Sequence, residues 1–397
     1  MKPDLVLRSF AALICAGIFF RAEPTHVAWA AAHDPHAAVP PKAAAAKLNR
    51  NGLTSTDSSM PTTNVCSRAE VETLIAKAGT TAPEWWNSVQ LRYPPTLNLT
   101  WADPGKEWNA QKNLGQYIWD IINPNPSRWR EGVRLLHHVL TVNKDSPEKL
   151  EKTTEALARM YQSLLQDWAR AAFWWRKTIQ LGGYDEADFA LDLGECYWRL
   201  GNREMCVALI SQLDEDDTRN GSLIKLWADL GEIDKALKLA EQKAASGEPD
   251  SAYLAAGDAC RLGGRYPQAL GYYRKVVAVP DGPRDIKRNK ERAAASIEAI
   301  RVFDNLDLAR IPDGTYMNSS LGYNGPLRVA VVVKNARIVS VKVTQHTEKQ
   351  FYSAITDTTA RIIAKQGVKG VDMTSGATIT AEAIVNATAK ALANGMK

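Results

Sequence analysis

From about residue 127 to 304, apolar side chains recur every three to four positions, the spacing of amphipathic helices. From residue 312 the period shortens to two, and the chain closes on an Ala-rich stretch that returns to the helical period. Within the long helical stretch, small residues follow glycines at a fixed interval. Leu200-Gly201 is followed five residues on by Cys206, Leu230-Gly231 by Ala236, and Gly263-Gly264 by Ala269. Each glycine suits the turn of a helix hairpin, and each small residue lets the second helix approach the first. Gly194 and Tyr197 precede the first turn as Gly257 and Cys260 precede the last. A weaker unit turns at Gln166, with Ala171, Trp174 and Trp175 on its second helix, so successive turns lie 35, 30 and 33 residues apart.

The two-residue period carries a β-meander. Asp313-Gly314-Thr315-Tyr316 leads to a turn at Gly322-Tyr323-Asn324-Gly325-Pro326 and then to the β-branched run Leu327 through Val333. Lys334-Asn335-Ala336-Arg337 reverses the chain into Ile338-Val339-Ser340-Val341-Lys342-Val343, which alternates as a half-buried strand does. A helix is expected over 352–365. Asp372-Met373-Thr374-Ser375-Gly376-Ala377-Thr378-Ile379-Thr380 then opens a last helix that reaches Leu392.

The N-terminal third is different in kind. Lys2 and Arg8, an apolar stretch too short to anchor in a bilayer, and Ala28-Trp29-Ala30 predict a cleaved export signal over 1–30. The Ala/Pro/Ser/Thr-rich stretch 31–64 cannot bury enough surface to offset its ordering entropy and reads as a disordered linker. Residues 65–126 form a Trp-rich subdomain in which Ser67-Arg68-Ala69-Glu70 resembles a capping box for a helix ending at Gly79. The chain is expected to be irregular from there to Ser127, with Trp85, Trp86 and Trp101 packing against the next helices. Export places the protein in the periplasm or cell envelope. It also puts Cys66, Cys196, Cys206 and Cys260 in an oxidising compartment, where Cys196 and Cys206 could pair but buried thiols fit their helical context better. A net charge of +5 over 397 residues, with 23% charged side chains, carries no surplus that would draw nucleic acid.

Two family resemblances emerge. The hairpin spacings bracket the period of about 34 residues of tetratricopeptide repeats, which implies a solenoid with a face for a partner. Asp313 to about Ala393 resembles the FMN-binding domain of the flavin-carrying subunits of sodium-pumping quinone reductase and the Rnf complex. The resemblance rests on Asp313-Gly314-Thr315-Tyr316, the Gly322 to Pro326 turn, the strand pair, His346-Thr347-Glu348, and Asp372 with Ser375-Gly376-Ala377-Thr378. The expected fold class is therefore multidomain: a tetratricopeptide-like solenoid over 127–304, then a small α+β FMN-binding domain over 312–397.

The resemblance implies that Thr378 carries FMN through a phosphoester, installed from FAD by a separate FMN transferase. The residues agree in kind. A helix N-terminus presents unpaired amides and a positive dipole end to a phosphate, although Thr378 or Thr380 could equally serve as a plain helix cap. Gly376 and Ala377 keep the acceptor loop slim, Ser375 opens its Ser-Gly-Ala-Thr motif as a further cofactor-binding residue, and Asp372 orients the loop, helps the transferase hold its metal, or makes an Asx turn. Gly322, Gly325 and Pro326 are expected as a backbone wall against the flavin, or as a turn alone. His346 and Glu348 are expected near the cofactor, or in a charged loop. The function read from these parts is an exported electron carrier whose repeats dock a redox partner, with a membrane respiratory complex as one setting. It is more a carrier than a self-sufficient enzyme. Two alternatives are a subunit of a flavin-dependent reductase and a scaffold without flavin.

Overall fold

The structure, a computed structural model, describes residues 65–396 apart from 104, 106–107, 183–185, 215, 217, 219–220, 304, 349–352 and 372–376. The export signal and linker expected over 1–64 lie outside the described residues, as do Asp372, Ser375 and Gly376.

The first helix, α1 (Arg68–Thr80), is held at its start by a reciprocal cap. The Ser67 hydroxyl accepts from the Glu70 amide at 3.3 Å, and the Glu70 carboxylate accepts from the Ser67 amide at 2.7 Å. The chain after it is less irregular than its composition suggests. A short helix α2 (Leu114–Tyr117), capped by Asn113, runs into a π-helical turn (Ile118–Ile122) and buries Leu114, Tyr117 and Ile122. Five or six apolar contacts over two turns are too few to set a readable period. The tryptophans pack. Trp86 meets the His137 ring edge-on at 4.9 Å on α3 (Trp129–Val142), and His137 meets Trp174 at 5.3 Å. Enclosed in this way, the His137 imidazole is pushed down to about 3, chiefly by burial and further by Arg134 and Arg170.

Helix hairpins follow. α4 (Pro147–Arg159), extended by a π-helical turn (Met160–Leu164), pairs with α5 (Trp168–Leu181), and α6 (Glu186–Arg199) with α7 (Arg203–Ile210). α8 (Ser222–Asp229) pairs with α9 (Ile233–Ser246), α10 (Pro249–Leu262) pairs with α11 (Tyr266–Ala278), and α12 (Arg284–Phe303) packs on α11. All four turn positions read from the sequence are left-handed: Gln166 at φ 52°, Gly201 at 88°, Gly231 at 83° and Gly264 at 71°. Glycine takes that conformation without the Cβ clash that Gln166 carries.

A buried polar network in this region centres on Gln162. Gln162 Oε1 accepts from the Trp175 indole at 2.6 Å, while Gln162 Nε2 donates to Asp192 at 3.2 Å and Glu195 at 3.1 Å. The four cysteines among the described residues are free thiols: Cys196, Cys206 and Cys260 are buried and Cys66 is half-buried. Burial pushes the Cys260 thiol up to about 11 and the other two buried thiols higher still.

The C-terminal unit is an antiparallel sheet of order β1 (Gly314–Leu321), β2 (Pro326–Lys334), β3 (Arg337–Gln345), covered by α13 (Ser353–Lys365) and α14 (Thr378–Gly395). β2 turns Leu327, Val329, Val331 and Val333 inward, as period two requires. Asn335 and Ala336 close the β2–β3 hairpin with φ near +52° and +55°, the handedness that matches strand twist. α14 lies against β1 and β2 on one side and α12 and α13 on others, so nearly its whole circumference is buried. That position accounts for its alanines: Ala381, Ala387, Ala389 and Ala391 allow close approach on every face. The chain is thus a mostly helical region followed by a small α+β domain. No helix among the described residues is long and apolar enough to cross a membrane.

Candidate functional site

The turn between β1 and β2 is drawn toward the start of α14 by one carboxylate. Gly322 N–H donates to the Gly325 carbonyl at 2.8 Å, which closes the turn, and Gly325 sits at φ +148°. Glu348, almost wholly buried just beyond β3, accepts from the Asn324 amide through Oε1 at 3.3 Å and from the Thr380 hydroxyl through Oε2 at 2.9 Å. A Cβ on Gly322 would stand 2.4 Å from Glu348 Oε1, so only glycine lets the carboxylate reach under the turn. Thr347 adds a bond from its hydroxyl to the Asn324 carbonyl at 3.0 Å. Gly322, Gly325, Glu348 and Thr380 therefore form one connected group. Pro326 opens β2 on the exposed side, paired with Leu321, and belongs to the turn's exit. His346 is half-buried two residues before Glu348; burial lowers its imidazole, against a smaller upward pull from Glu348.

Neither threonine caps α14. The N-cap is Ala377, with no side-chain cap bond; Thr378 is the first helical residue, and the Thr380 hydroxyl is spent on Glu348. No side chain among the described residues caps the first turn of α14, as for α3, α4 and α8 to α11, whereas α1, α2, α5 and α7 are capped by Ser67, Asn113, Asp167 and Asn202. An anion at Thr378 would meet the positive end of an 18-residue helix.

Thr378 is half-buried and lies on the wall of a cleft of about 570 Å³ between the C-terminal domain and the helical region. Sequence reasoning had no access to this cleft. Its other walls are α8 and α10, which are the first helices of two successive hairpins, and the start of α12. At its floor Arg292 makes an ion pair with Glu382 on α14 at 2.9 Å and faces Asp258 on α10 at 3.8 Å, and Tyr273 donates to Asp258 at 2.6 Å. Burial pushes the Asp258 carboxyl well above the usual carboxylate range, with Glu382 adding to it. Burial opposes ionisation of Glu382 as well, but Arg292 overcomes it and holds Glu382 below its usual value. Glu382 was the only signal in the sequence, a lone carboxylate in an Ala-rich helix one turn after Thr378.

Comparison with known proteins locates one family. Residues 322–393 match the model of the FMN-binding domain, and the match does not extend into the helical region. A protein of Treponema pallidum (strain Nichols), described as "Uncharacterized protein", is 37% identical over 86 residues, which make up 21% of this chain and 24% of that protein. The chain thus spans about a quarter of that relative's length. No solved structure matches. Residues 322–393 of the C-terminal unit are thus an FMN-binding domain by family match, which suggests that the chain binds a flavin.

Proposed function

We propose that this protein is an exported electron carrier whose FMN is attached to Thr378 by a phosphoester, with the helical region docking a redox partner. The observation that carries the reading is the start of α14: Thr378 occupies its first position, no side chain among the described residues caps that turn, and Thr378 lines a cleft of cofactor size. Flavinylation needs an FAD-dependent FMN transferase. The Thr378 oxygen bonds to the FMN phosphorus, the FAD pyrophosphate bond breaks, AMP leaves, and a base of the transferase takes the hydroxyl proton. Bound FMN supplies exchange of one or two electrons. The chain's own residues do the rest: the α14 amides neutralise the phosphate, Gly322 and Gly325 keep the neighbouring turn free of side chains, and Glu348 fixes that turn to Thr380. A tetratricopeptide-like array fits a partner-docking role, although its first-helix face at α8 and α10 is already turned toward the chain's own C-terminal domain.

The test compares two threonines two residues apart. Thr378→Ala removes no hydrogen bond among the described residues and is expected to cost only about 0.5 kcal/mol, yet to abolish covalent flavin. Thr380→Ala breaks the bond to Glu348 and is expected to cost about 1–3 kcal/mol while keeping the flavin. Each variant is co-expressed with a flavin transferase, denatured and scored for in-gel fluorescence. A bright Thr378→Ala or a dark wild type would overturn the reading.

A second reading, a subunit of a flavin-dependent reductase, draws on Asp258, whose raised carboxyl gives the cleft a protonated acid. It requires that Asp258→Asn slow substrate reduction and leave electron exchange with a one-electron dye unchanged. Equal slowing of both would remove it.

A further inference from the structure

We propose that the cleft between the helical region and the C-terminal domain completes the flavin site, with Arg288 of α12 holding the phosphoester on Thr378. The inference rests on the Thr378 assignment and adds a residue from outside the segment matched by the FMN-binding domain.

The placement of Arg288 follows from the register of two helices. Arg292 bonds to Glu382, and Ser296 bonds to Asn386 at 3.4 Å; both pairs are separated by 90 residues. α12 and α14 therefore run side by side in parallel, advancing together one turn at a time. One turn toward their N-termini, the same offset sets Arg288 opposite Thr378, and both residues line the cleft. Arg288 is held at the cleft wall by Tyr323: its guanidinium lies 4.4 Å from the Tyr323 ring centroid and donates to the Tyr323 carbonyl. That arrangement leaves a planar donor fork, the geometry suited to phosphate oxygens.

The lining of the cleft is mixed, six carboxylates and four cations, and one of the cations lacks hydrogen-bond partners. Arg261 is 3% exposed and lines the cleft, and neither terminal nitrogen of its guanidinium has a hydrogen-bond partner among the described residues; the Phe303 ring lies 5.1 Å away. Five of the six carboxylates are engaged, Asp229 by Lys225, Glu248 by Lys243, Asp250 by Asn289, Asp258 by Tyr273 and Glu382 by Arg292, and Asp285 is exposed. A buried guanidinium without hydrogen bonds is costly, and an anion in the cleft would offset that cost. The phosphoester would supply one at the first turn of α14, opposite Arg288. The cleft's volume also suits a ligand of flavin size.

The experiment uses the full chain co-expressed with the transferase, and reads the phosphorus resonance of the native protein beside in-gel fluorescence after denaturation. Arg288→Ala is expected to carry covalent flavin while its native phosphorus resonance moves toward the position it takes in the denatured protein. Arg288→Lys should restore much of the shift, and Asn289→Ala, on the same helix and in the same cleft, should leave it in place. A loaded Arg288→Ala with the wild-type resonance overturns the inference, as does an equal displacement in Asn289→Ala. If Arg288→Ala fails to load, recovery of loading in Arg288→Lys supports a cationic role at the phosphate, and failure of both variants overturns it. A dark wild type overturns the Thr378 assignment itself, so the two readings fail separately.

Discussion

Two buried polar clusters, one inside the helical region and one between that region and the FMN-binding domain, differ in whether their hydrogen bonds are complete. Gln162 uses its carbonyl on Trp175 and its amide on Asp192 and Glu195, so the first cluster is satisfied. In the second, Arg292 Nε, Glu382 Oε1 and both terminal nitrogens of Arg261 have no partner. A satisfied network fixes one packing arrangement and needs nothing further. An incomplete network beside a cleft points to a group that completes it. On the proposed function, the contrast would separate polar residues that serve the fold from polar residues that serve a ligand.

Removing Arg292 should produce the largest effect. Arg292→Ala strands Glu382 without its cation and is expected to destabilise the protein by about 3–5 kcal/mol in a denaturant melt. Replacing the pair with Arg292→Met and Glu382→Leu should recover most of that loss, because the charges then leave together. In the helical region, Gln162→Leu leaves the Trp175 indole without its acceptor and removes one donor each from Asp192 and Glu195, which keep Arg159 and Arg199. It should cost about 3 kcal/mol and leave flavin loading unchanged. Loss of flavin in that variant would mean that the clusters are coupled.

Acid should probe the helical region next. His137 has a folded pKa of about 3 against an ordinary value of 6.5, so between those values the unfolded chain takes up a proton that the folded chain refuses. Stability is complete above pH 6.5 and falls as the pH drops through that window, by about 2 kcal/mol at pH 5. His137→Phe should flatten this dependence in melts recorded across the range.

Turns give the smallest effects and opposite signs in the two regions. Gly264 sits at φ 71° with open space around its Cβ position, so Gly264→Ala should cost about 1 kcal/mol from backbone strain alone. Ala336 already carries that strain at φ 55°, and Ala336→Gly should raise stability by about 0.5 kcal/mol. Thermal midpoints of both variants check the pair.

The features legible in the sequence were those fixed locally. A glycine needed at positive φ marks its own turn, which is why Gly201, Gly231 and Gly264 were readable, and the alternation in β2 marks its own buried face. The Ser67–Glu70 cap likewise lies within four residues. The short helix α2 was missed because two turns do not establish a period. The cleft was missed because its walls come from residues near 225, 258, 288, 323 and 378, which only the helix register unites. Arg288 was hidden further by its neighbours: in Arg284-Asp285-Ile286-Lys287-Arg288-Asn289-Lys290-Glu291-Arg292 a site residue is indistinguishable from a solvated face. Motif reading led to Thr378 and Glu348. That Glu348 binds Thr380 and the Asn324 amide together could come only from geometry.

The parallel register of α12 and α14 also sets an order of folding. Each hairpin closes over about thirty residues, whereas joining Arg292 to Glu382 closes a span of 90, a difference of about 1 kcal/mol in closure entropy. Local hairpins are therefore expected to form before α14 docks, which pulse-labelled hydrogen exchange during refolding would show as protection over 129–278 preceding protection in α14. Until that last step the first turn of α14 stands open to solvent, so on the proposed function a flavin transferase would reach Thr378 most readily in that interval.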